Sequence, residues 1–355
     1  MHDDYFVTVD HKGLLDFLTE VYQRVGLSAG NAALVADSLV TPSLQGNSSH
    51  GVLLAYGYFR RLQAGNPDPK AVPEVISDSG ATAVIDGKNA MGQMVSALAM
   101  GLATDKARDY GVGIVGARAT NHFGATGYWS SMALKSDMIG IAMTNTSPLM
   151  APWGGTTPVL GSSPVSVAIP AGREAPVLLD MATTMVAGGK LRVAQMRGEK
   201  IPIGWAVGAD NQLTDDPAAA LKGHILPLGG VCGYKGYGLA LVVDILSAVL
   251  MGAGFGTAIK LDSKDPRNLG HYFQAIDVSR LMPVDEFKAR VDALLQELKS
   301  SELEPGVERV YYAGEMEAVF AEEQRRNGLR LDGPVYKDLE KIGAEVGVPV
   351  TFRRA

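Results

Sequence analysis

Residues 111–144 read GVGIVGARATNHFGATGYWSSMALKSDMIGIAMT, with two apolar runs on either side of a helix-forming segment. The runs at 111–116 and 139–144 predict strands, and residues 125–135 between them predict a helix. Because strands that alternate with helices usually form a sheet covered by those helices, this stretch predicts an α/β fold around a largely buried sheet.

The flanking sequence continues this alternation and adds helices at both ends of the chain. Two helices are predicted before residue 45, because apolar residues recur there at helical spacing. Further strands are predicted at 74–77, 82–85, 165–169, 177–181, 272–278 and 309–312. Further helices are predicted at 91–110, 235–251 and 284–298. Three more predicted helices have less definite bounds: one contains residues 190 and 196, one runs through residue 326, and the last follows residue 334.

The composition excludes several classes of protein. Of 355 residues, 32 are Lys or Arg and 38 are Asp or Glu, a net charge of −6. A protein that neutralises nucleic-acid phosphates needs a basic excess, so no nucleic-acid partner is expected. The single cysteine, Cys232, cannot form an internal disulfide, which favours a cytoplasmic location.

The most apolar stretch is residues 237–251, and it is too short to be a membrane anchor. It has about 15 residues, whereas a spanning helix needs about 20, and Asp244 lies within it. The acidic N-terminus also differs from a basic secretion signal. We therefore expect a buried helix of a soluble core and no membrane partner.

Residues 111–116 match G-x-G-x-x-G, a pattern found in dinucleotide-binding domains. In those domains the glycines follow a strand and open a helix, whose N-terminus binds the pyrophosphate. Here a helix precedes the pattern, and the glycines lie where a strand begins. We interpret them as a tight helix-to-strand turn rather than a Rossmann motif.

Two of the six histidines, His50 and His122, lie in surroundings suited to chemistry. His122 follows a predicted strand, and ligands bind at the carboxyl ends of strands in open α/β sheets. His50 lies among small polar residues, Ser48, Ser49 and Gly51, where a substrate can approach the ring. Because imidazole exchanges protons at neutral pH, both are candidate acids or bases. The alternatives are a buried, hydrogen-bonded His122 and an incidental His50 in a helix-capping loop.

The remaining histidines and other common chemistries give weaker signals. Solvated or structural roles are expected for His2, His11, His224 and His271. The sequence has no H-x-x-x-H, no H-E-x-x-H and no cysteine cluster, so no metal site is expected. It also lacks a G-x-S-x-G nucleophile elbow, which argues against a serine hydrolase.

The motifs taken together resemble the type 2 malate/L-lactate dehydrogenase family. That family also includes sulfolactate, ureidoglycolate and diketogulonate oxidoreductases and cyclic imino acid reductases. The resemblance covers nearly the whole chain and rests on the order and spacing of short motifs. These are SHGV at 49–52, NHFG at 121–124, TN at 144–145, APWGG at 151–155, LDMATT at 179–184, KGYGL at 235–239, NLGH at 268–271 and GE at 314–315.

The resemblance implies a non-Rossmann α/β fold, with a mixed central sheet flanked by helices of the sulfolactate dehydrogenase-like type. It implies a homodimer whose active site lies near the subunit interface. Residues 1–75 would form a helical segment that packs with residues 300–355. Residues 76–299 would form the central α/β region that holds the nicotinamide cofactor and the substrate.

The resemblance also implies roles for particular residues. A hydride would move between the nicotinamide and a substrate carbon, while a histidine, His122 ahead of His50, exchanges a proton with the substrate beside Ser49. NAD or NADP would contact Asp180, Met181, Ala182, Thr183, Thr184, Lys235, Gly314, Glu315 and Met316, and the substrate would contact Ser48, Asn121, Thr144 and Asn145. Lys235 has an alternative role as a surface lysine, and Asp180 as a helix cap.

Two departures from the family pattern leave the substrate open. Many relatives carry an arginine where this chain has Gln45, and several carry one where it has Leu54, four residues after the histidine. An arginine there would clamp a substrate carboxylate. Candidates for a replacement anchor are Arg60, Arg61, Arg118 and Arg192.

A small 2-oxo or 2-hydroxy acid is the expected substrate, in a reaction that resembles those of malate and lactate dehydrogenases. A cyclic imino acid, such as pyrroline- or piperideine-2-carboxylate, and a sugar-derived keto acid are the alternatives within enzymes. A non-catalytic binding protein is the alternative from another class.

Overall fold

The computed structural model of the protein describes residues 6–259 and 266–353. Its strands are β1 Phe6–Val9, β2 Glu74–Ser79, β3 Thr82–Asp86, β4 Val112–Thr120, β5 Met138–Thr144, β6 Val165–Ile169, β7 Val177–Met181, β8 Ala206–Val207, β9 Leu213–Thr214, β10 His224–Ile225, β11 Leu269–Asp277 and β12 Leu329–Asp332. Its helices are α1 His11–Arg24, α2 Ala29–Leu44, α3 Ala55–Gln63, α4 Gly92–Tyr110, α5 Thr126–Ser130, α6 Gly188–Arg197, α7 Pro217–Ala220, α8 Tyr234–Asp244, α9 Val284–Lys299, α10 Glu315–Asn327 and α11 Gly333–Val346. A 3₁₀ turn, Ser48–His50, follows α2, and a π-helical turn, Ile245–Val249, continues α8.

The main sheet has the strand order β2-β3-β4-β11-β5-β6-β7. Strands β3 and β4 run parallel, whereas the other neighbouring pairs are antiparallel. Helices α4 and α5 pack on this sheet. The mixed central sheet flanked by helices confirms the predicted fold class. Strands β4 and β5, predicted from the central stretch of sequence, are separated by β11.

Helix α4 packs closely on the sheet through small residues. Ala103 and Ala107 are fully buried, and a Cβ at Gly113 would overlap the Ala103 carbonyl oxygen. Gly111 ends the helix with φ +84°, in the left-handed region that favours glycine. The glycines therefore permit a tight turn and close helix–sheet contact, and the predicted helix-to-strand turn is confirmed.

A second apolar core lies beside the sheet and joins the two ends of the chain. It is formed by α1, α2, α3 and α11 together with the antiparallel pair β1 and β12. Its largest fully buried side chains include Tyr22 and Phe59. The division into residues 1–75 with 300–355, and 76–299, stays a prediction.

The strand predicted at 309–312 is wrong, because this segment forms no strand. Arg309 pairs there with Glu315, and the Tyr312 hydroxyl donates to the Ala175 carbonyl at 3.0 Å. Side chains rather than a strand partner thus hold the segment. The last strand is instead β12, which pairs with β1 from the other end of the chain.

Residues 237–251 are only half buried, in contrast to the predicted buried helix. Ala240, Val243 and Ala248 face the protein interior, because α8 and the π-helical turn cover β5 and β11 with one face only. The apolar side chains on the other face, which we call the α8 face, are 41–62% exposed: Leu241, Val242, Ile245, Val249 and Leu250. No helix among the described residues is both long and apolar enough to cross a membrane.

Candidate active site

Two loops bring His50 and His122 together at one end of the main sheet. His122 follows β4, and His50 ends the 3₁₀ turn after α2. Their rings stack with centroids 5.8 Å apart and an interplanar angle of 28°, and both residues remain partly exposed. The two histidines selected from the sequence therefore lie in one site.

The turn that carries His50 depends on glycine at position 51. Ser43 Oγ accepts a hydrogen bond from the Val52 N–H at 2.9 Å, and a Cβ at Gly51 would overlap that oxygen. Only a residue without a Cβ lets the chain pass so close to α2. The glycine after His50 thus sets the position of the ring.

Hydrogen bonds hold one ring nitrogen of His122. Its Nδ1 lies 2.6 Å from the Tyr58 hydroxyl oxygen and 3.4 Å from the Gly124 nitrogen. Because a backbone N–H can only donate, Nδ1 accepts, and the neutral ring carries its proton on Nε2. Burial, and then the nearby His50 and Arg267, lower the pKa of His122 well below its usual value. The ring is therefore neutral at pH 7.

His50 is held by its own loop. Its Nδ1 lies 2.9 Å from Ser49 Oγ, which also donates to Asn47 Oδ1 at 3.1 Å. Burial, assisted by the charge of Lys190, lowers the pKa of His50 to about 4. The ring is neutral at pH 7, and Ser49 keeps its Nδ1 turned toward the loop.

A cavity of about 460 Å³ opens beside His50, between the loop that follows α2 and the end of β7. This size is typical of small-molecule and cofactor sites. Asp180 lines it and accepts a hydrogen bond from the Gly127 N–H at 2.8 Å. Although Asp180 is accessible from the cavity, its walls desolvate the carboxyl group and, together with Glu317, raise its pKa to about 6.

The structure brings some of the predicted cofactor residues to this cavity. Asp180, Met181, Ala182 and Thr184 line it. Thr183 lies behind the wall, where its N–H and hydroxyl both donate to the Ser162 carbonyl.

The other predicted cofactor residues lie outside the cavity lining. Lys235 is exposed in the first turn of α8, and Met316 is 47% exposed on α10. Glu315 is buried and pairs with Arg309 and with Lys299, the latter at 3.3 Å. Gly314 passes so close to β7 that a Cβ would lie 2.7 Å from Leu178 Cβ. These contacts give Gly314 and Glu315 a structural role, and their contact with a cofactor stays a prediction.

Three of the four predicted substrate residues are buried and hydrogen-bonded within the protein. The Asn121 amide bonds to Asn89 and Ala90 and accepts from Arg61. Asn145 bonds to backbone groups of Gly254 and Gly270, and Thr144 bonds to His271. Ser48 alone of the four lines the cavity. Substrate contacts of all four stay predictions.

The structure separates the four candidate arginines. Arg60 is exposed and pairs with Glu345 at 2.8 Å, and Arg118 lies 3.6 Å from Asp86, while Arg192 is exposed on α6. Arg61 is partly buried, and its hydrogen bonds go to two uncharged oxygens, Asn66 O and Asn121 Oδ1, both at 3.1 Å. Burial and the neighbouring Arg267 lower the pKa of Arg61 to about 10. Of the four candidates, Arg61 is the one whose charge contributes to the lowered pKa of His122.

Sequence reasoning missed several residues of the site. Tyr58 lies one turn before the candidate anchor Arg61 on α3, so their shared helix face was a detectable signal. Gln93 on α4 and Arg267 before β11 come from distant parts of the chain, and Lys190 comes from α6. Only the folded sheet brings these three near the histidines, so a single sequence carried no signal for them.

Comparisons with known proteins agree with this fold. A family model described as malate/L-lactate dehydrogenase matches residues 9–340. The chain is 38% identical to malate dehydrogenase of Pyrococcus horikoshii, over 98% of this chain and 97% of that protein. It is 41% identical to L-sulfolactate dehydrogenase of Methanocaldococcus jannaschii, over 94% of this chain and 95% of that protein.

Solved structures show the same likeness. The P. horikoshii malate dehydrogenase structure superposes with a TM-score of 0.91, covering 98% of this chain and 97% of that one, at 36% identity. The structure of delta1-piperideine-2-carboxylate reductase from Pseudomonas syringae gives a TM-score of 0.84, covering 94% of this chain and 99% of that one, at 27% identity.

The fold, the family match and these relatives define an oxidoreductase that uses a nicotinamide cofactor. More particularly, the chain belongs to the malate/L-lactate dehydrogenase family. The family resemblance found in its motifs is thereby confirmed.

Proposed function

We propose that this protein transfers a hydride between NAD(P)H and C2 of a small 2-oxo or 2-hydroxy acid, with His122 as proton donor and acceptor. The stacked pair of His50 and His122 beside the guanidinium of Arg61 is the observation that supports this most. It combines a proton-exchanging group with a cation that suits a carboxylate.

The protein has to donate or accept the proton that accompanies hydride transfer. The bound nicotinamide supplies or accepts the hydride itself. Nε2 of His122 has no hydrogen bond to a described residue, so this nitrogen is available to the substrate oxygen. Once protonated on both nitrogens, the ring would give its Nε2 proton to that oxygen in reduction and keep the Nδ1 proton; in oxidation, Nε2 of this Nδ1–H form would take the hydroxyl proton. The stacked His50 would hold the same oxygen from the side of the cavity.

Arg61 is our candidate for the carboxylate anchor, with Arg267 beside it. A bound carboxylate offsets their positive charges, which lower the pKa of His122 in the free protein. Substrate binding therefore raises the proton affinity of His122 when the acid form is needed. Leu54, where relatives carry the anchor, packs instead against the apolar core of the terminal helices.

The cavity suits a nicotinamide cofactor. Small residues, among them Gly127, Ala182 and Ala187, form part of its wall, and a Cβ at Gly127 would lie 2.9 Å from Asp180 Oδ2. Asp180 and Thr184 offer polar atoms to cofactor hydroxyl and amide groups. Among residues 6–259 and 266–353, no cluster of three His, Cys, Asp or Glu side chains could hold a metal ion.

The α8 face is our candidate for a homodimer interface. A contiguous apolar patch of this kind marks an interaction site, and Lys235 begins the same helix. A second copy on this face would place the interface close to the predicted cofactor residue Lys235. In the cytoplasm, the exposed Cys232 beside this helix would remain a thiol.

A second candidate function is reduction of a cyclic imino acid. The likeness to the P. syringae piperideine carboxylate reductase favours it, because such an imine also carries a carboxylate next to the reduced carbon. His122 would then protonate nitrogen instead of oxygen.

The test is a panel of 2-oxo acids, sugar-derived keto acids and cyclic imines, each with NADH and with NADPH. We expect loss of reduced-nicotinamide absorbance with at least one 2-oxo acid, and a preference for one cofactor. Turnover confined to cyclic imines would favour the second candidate. Failure of both NADH and NADPH to bind in a thermal-shift assay would contradict both candidate functions.

A further inference from the structure

Gln93 is a buried polar residue without a partner, next to the site. It lies in the first turn of α4 and is fully buried, and neither atom of its amide makes a hydrogen bond within the described chain. A buried, unpaired amide costs about 1–3 kcal/mol. Such a group in a native protein calls for an explanation.

The Tyr58 hydroxyl is a polar group that the fold brings close to this amide. The Gln93 amide lies close enough to lower the pKa of Tyr58, against burial, which raises it. On its other side, the hydroxyl is 2.6 Å from Nδ1 of His122. The Tyr58 hydroxyl thus interacts both with the Gln93 amide and with the ring that carries the proposed chemistry.

This row of groups can adopt two hydrogen-bonded states. When the His122 ring is neutral with its proton on Nε2, the Tyr58 hydroxyl donates to Nδ1 and the Gln93 NH₂ can donate to Tyr58. When the ring is protonated, Nδ1–H donates to the Tyr58 oxygen, and the Tyr58 hydroxyl turns to the Gln93 carbonyl. An amide serves both states because it carries a donor and an acceptor.

The second state matches the needs of proton transfer. A protonated ring that gives its Nε2 proton to the substrate keeps the other proton on Nδ1, and the reverse reaction restores the pair. Throughout, the Nδ1 proton needs an acceptor. The Tyr58 oxygen can accept a hydrogen bond from Nδ1–H at low cost only if the Tyr58 hydroxyl proton has another acceptor. The Gln93 carbonyl oxygen is that acceptor.

We propose that Tyr58 and Gln93 are positioning residues that hold the Nδ1 proton of His122 while Nε2 exchanges a proton with the substrate. This inference rests on the proposed function. It adds two residues to that reaction, both of which would act through His122.

A double-mutant cycle tests the proposal. We expect Tyr58→Phe and Gln93→Met each to lower kcat of reduction about tenfold, the effect of one pKa unit on His122, and to move the kcat–pH profile to lower pH. KM should change little. Because Gln93 acts only through Tyr58, the double variant should be no slower than Tyr58→Phe alone. Ser96→Ala, another buried position on α4, is the control and should leave the profile unchanged.

Two results would overturn the proposal. One is additive losses in the double variant, and the other is an unchanged pH profile despite lower activity. Gln93→Leu provides a second apolar variant if Gln93→Met is poorly folded by circular dichroism.

A readout without turnover separates this proposal from the proposed function. The ¹⁵N shifts of His122 should report the Nε2–H tautomer in the wild type and a rise of the Nδ1–H tautomer in Tyr58→Phe. If the wild type reduces no substrate in the panel, the proposed function fails while these shifts still test Tyr58. Identical tautomer populations in both proteins would contradict the positioning role.

Discussion

Arg60 and Arg61 are neighbours on α3 but have opposite surroundings. Arg60 is exposed and paired with Glu345, whereas Arg61 is partly buried beside Asn121. If Arg61 anchors the substrate carboxylate, Arg61→Ala should raise KM for a 2-oxo acid about tenfold to a hundredfold, a loss of about 1.5–3 kcal/mol for a hydrogen bond to a charged group. Steady-state kinetics with the best substrate of the panel measures this.

The adjacent residue supplies a matched control for that prediction. Arg60→Ala removes the same charge one position away and should leave KM within about twofold, since an exposed ion pair contributes about 0–1 kcal/mol. Equal effects of the two variants would mean that general electrostatic attraction, rather than an anchor at Arg61, binds the substrate.

At the scale of elements, the contact between α4 and β4 tolerates no added side-chain atom. A Cβ at Gly113 would overlap the Ala103 carbonyl oxygen, which belongs to rigid helix backbone. We expect Gly113→Ala to lower the free energy of unfolding by about 1–3 kcal/mol, the usual cost of overpacking. Chemical denaturation followed by circular dichroism measures it.

Gly101 is the control for Gly113, because it lies in α4 with nothing within 4 Å of an added Cβ. Gly101→Ala should stabilise the protein by about 0.5–1 kcal/mol through helix propensity. If both variants shift stability in the same direction, close helix–sheet packing does not explain the glycine at 113.

The α8 face makes a prediction about assembly. We expect a dimer in light scattering, and we expect Val242→Glu with Val249→Glu to shift it toward monomer, because charges in an apolar interface lose their hydration without gaining partners. Leu281→Glu, at a residue that is 80% exposed elsewhere on the surface, should leave the dimer intact. A wild-type monomer at high concentration would contradict the proposed interface.

Most individual helices and strands could be predicted from the sequence, but which strands lie next to each other in the sheet could not. Apolar spacing located β4, β5 and the helix before β4, because those segments are regular and deeply buried. The insertion of β11 between β4 and β5 pairs segments more than a hundred residues apart, which local patterns do not encode. The exposed α8 face was misjudged for a related reason, since composition shows that a helix is apolar but not which of its faces is covered.

The whole molecule should lose stability as the pH falls. The pKa values of His50 and His271 are lowered to about 4, and that of His122 is also lowered, relative to the unfolded value near 6.5. The unfolded chain therefore binds more protons between about pH 6.5 and 4, and the free energy of unfolding decreases over that window.

Two acids oppose this trend over part of the range. Burial raises the pKa values of Asp180 and Asp244 to about 6, so their contribution to stability is lost as the pH rises toward 6. The three histidines outnumber them, and we expect urea midpoints to fall from about pH 6.5 to 5. The double variant His50→Gln with His122→Gln should flatten this dependence, and an unchanged slope would show that these rings are not the source.

Some residues of the candidate site could be identified from local sequence motifs, whereas others could be identified only from the folded structure. Motif order sufficed to select His50, His122 and Asp180, which lie at the ends of recognisable elements. Tyr58, Gln93 and Arg267 escaped notice because their importance comes from distance to His122, and each reaches it from a different part of the chain.

The most direct test of the account is the turnover of His122→Ala beside the wild type. With reduced nicotinamide and the best substrate of the panel, we expect wild-type turnover and a loss of about 10²–10⁴ in kcat for the variant, as for removal of a general acid. Binding of the reduced cofactor should be retained, because His122 lies outside the cavity lining. Near-wild-type turnover by a correctly folded His122→Ala would contradict the central claim that this histidine carries the proton.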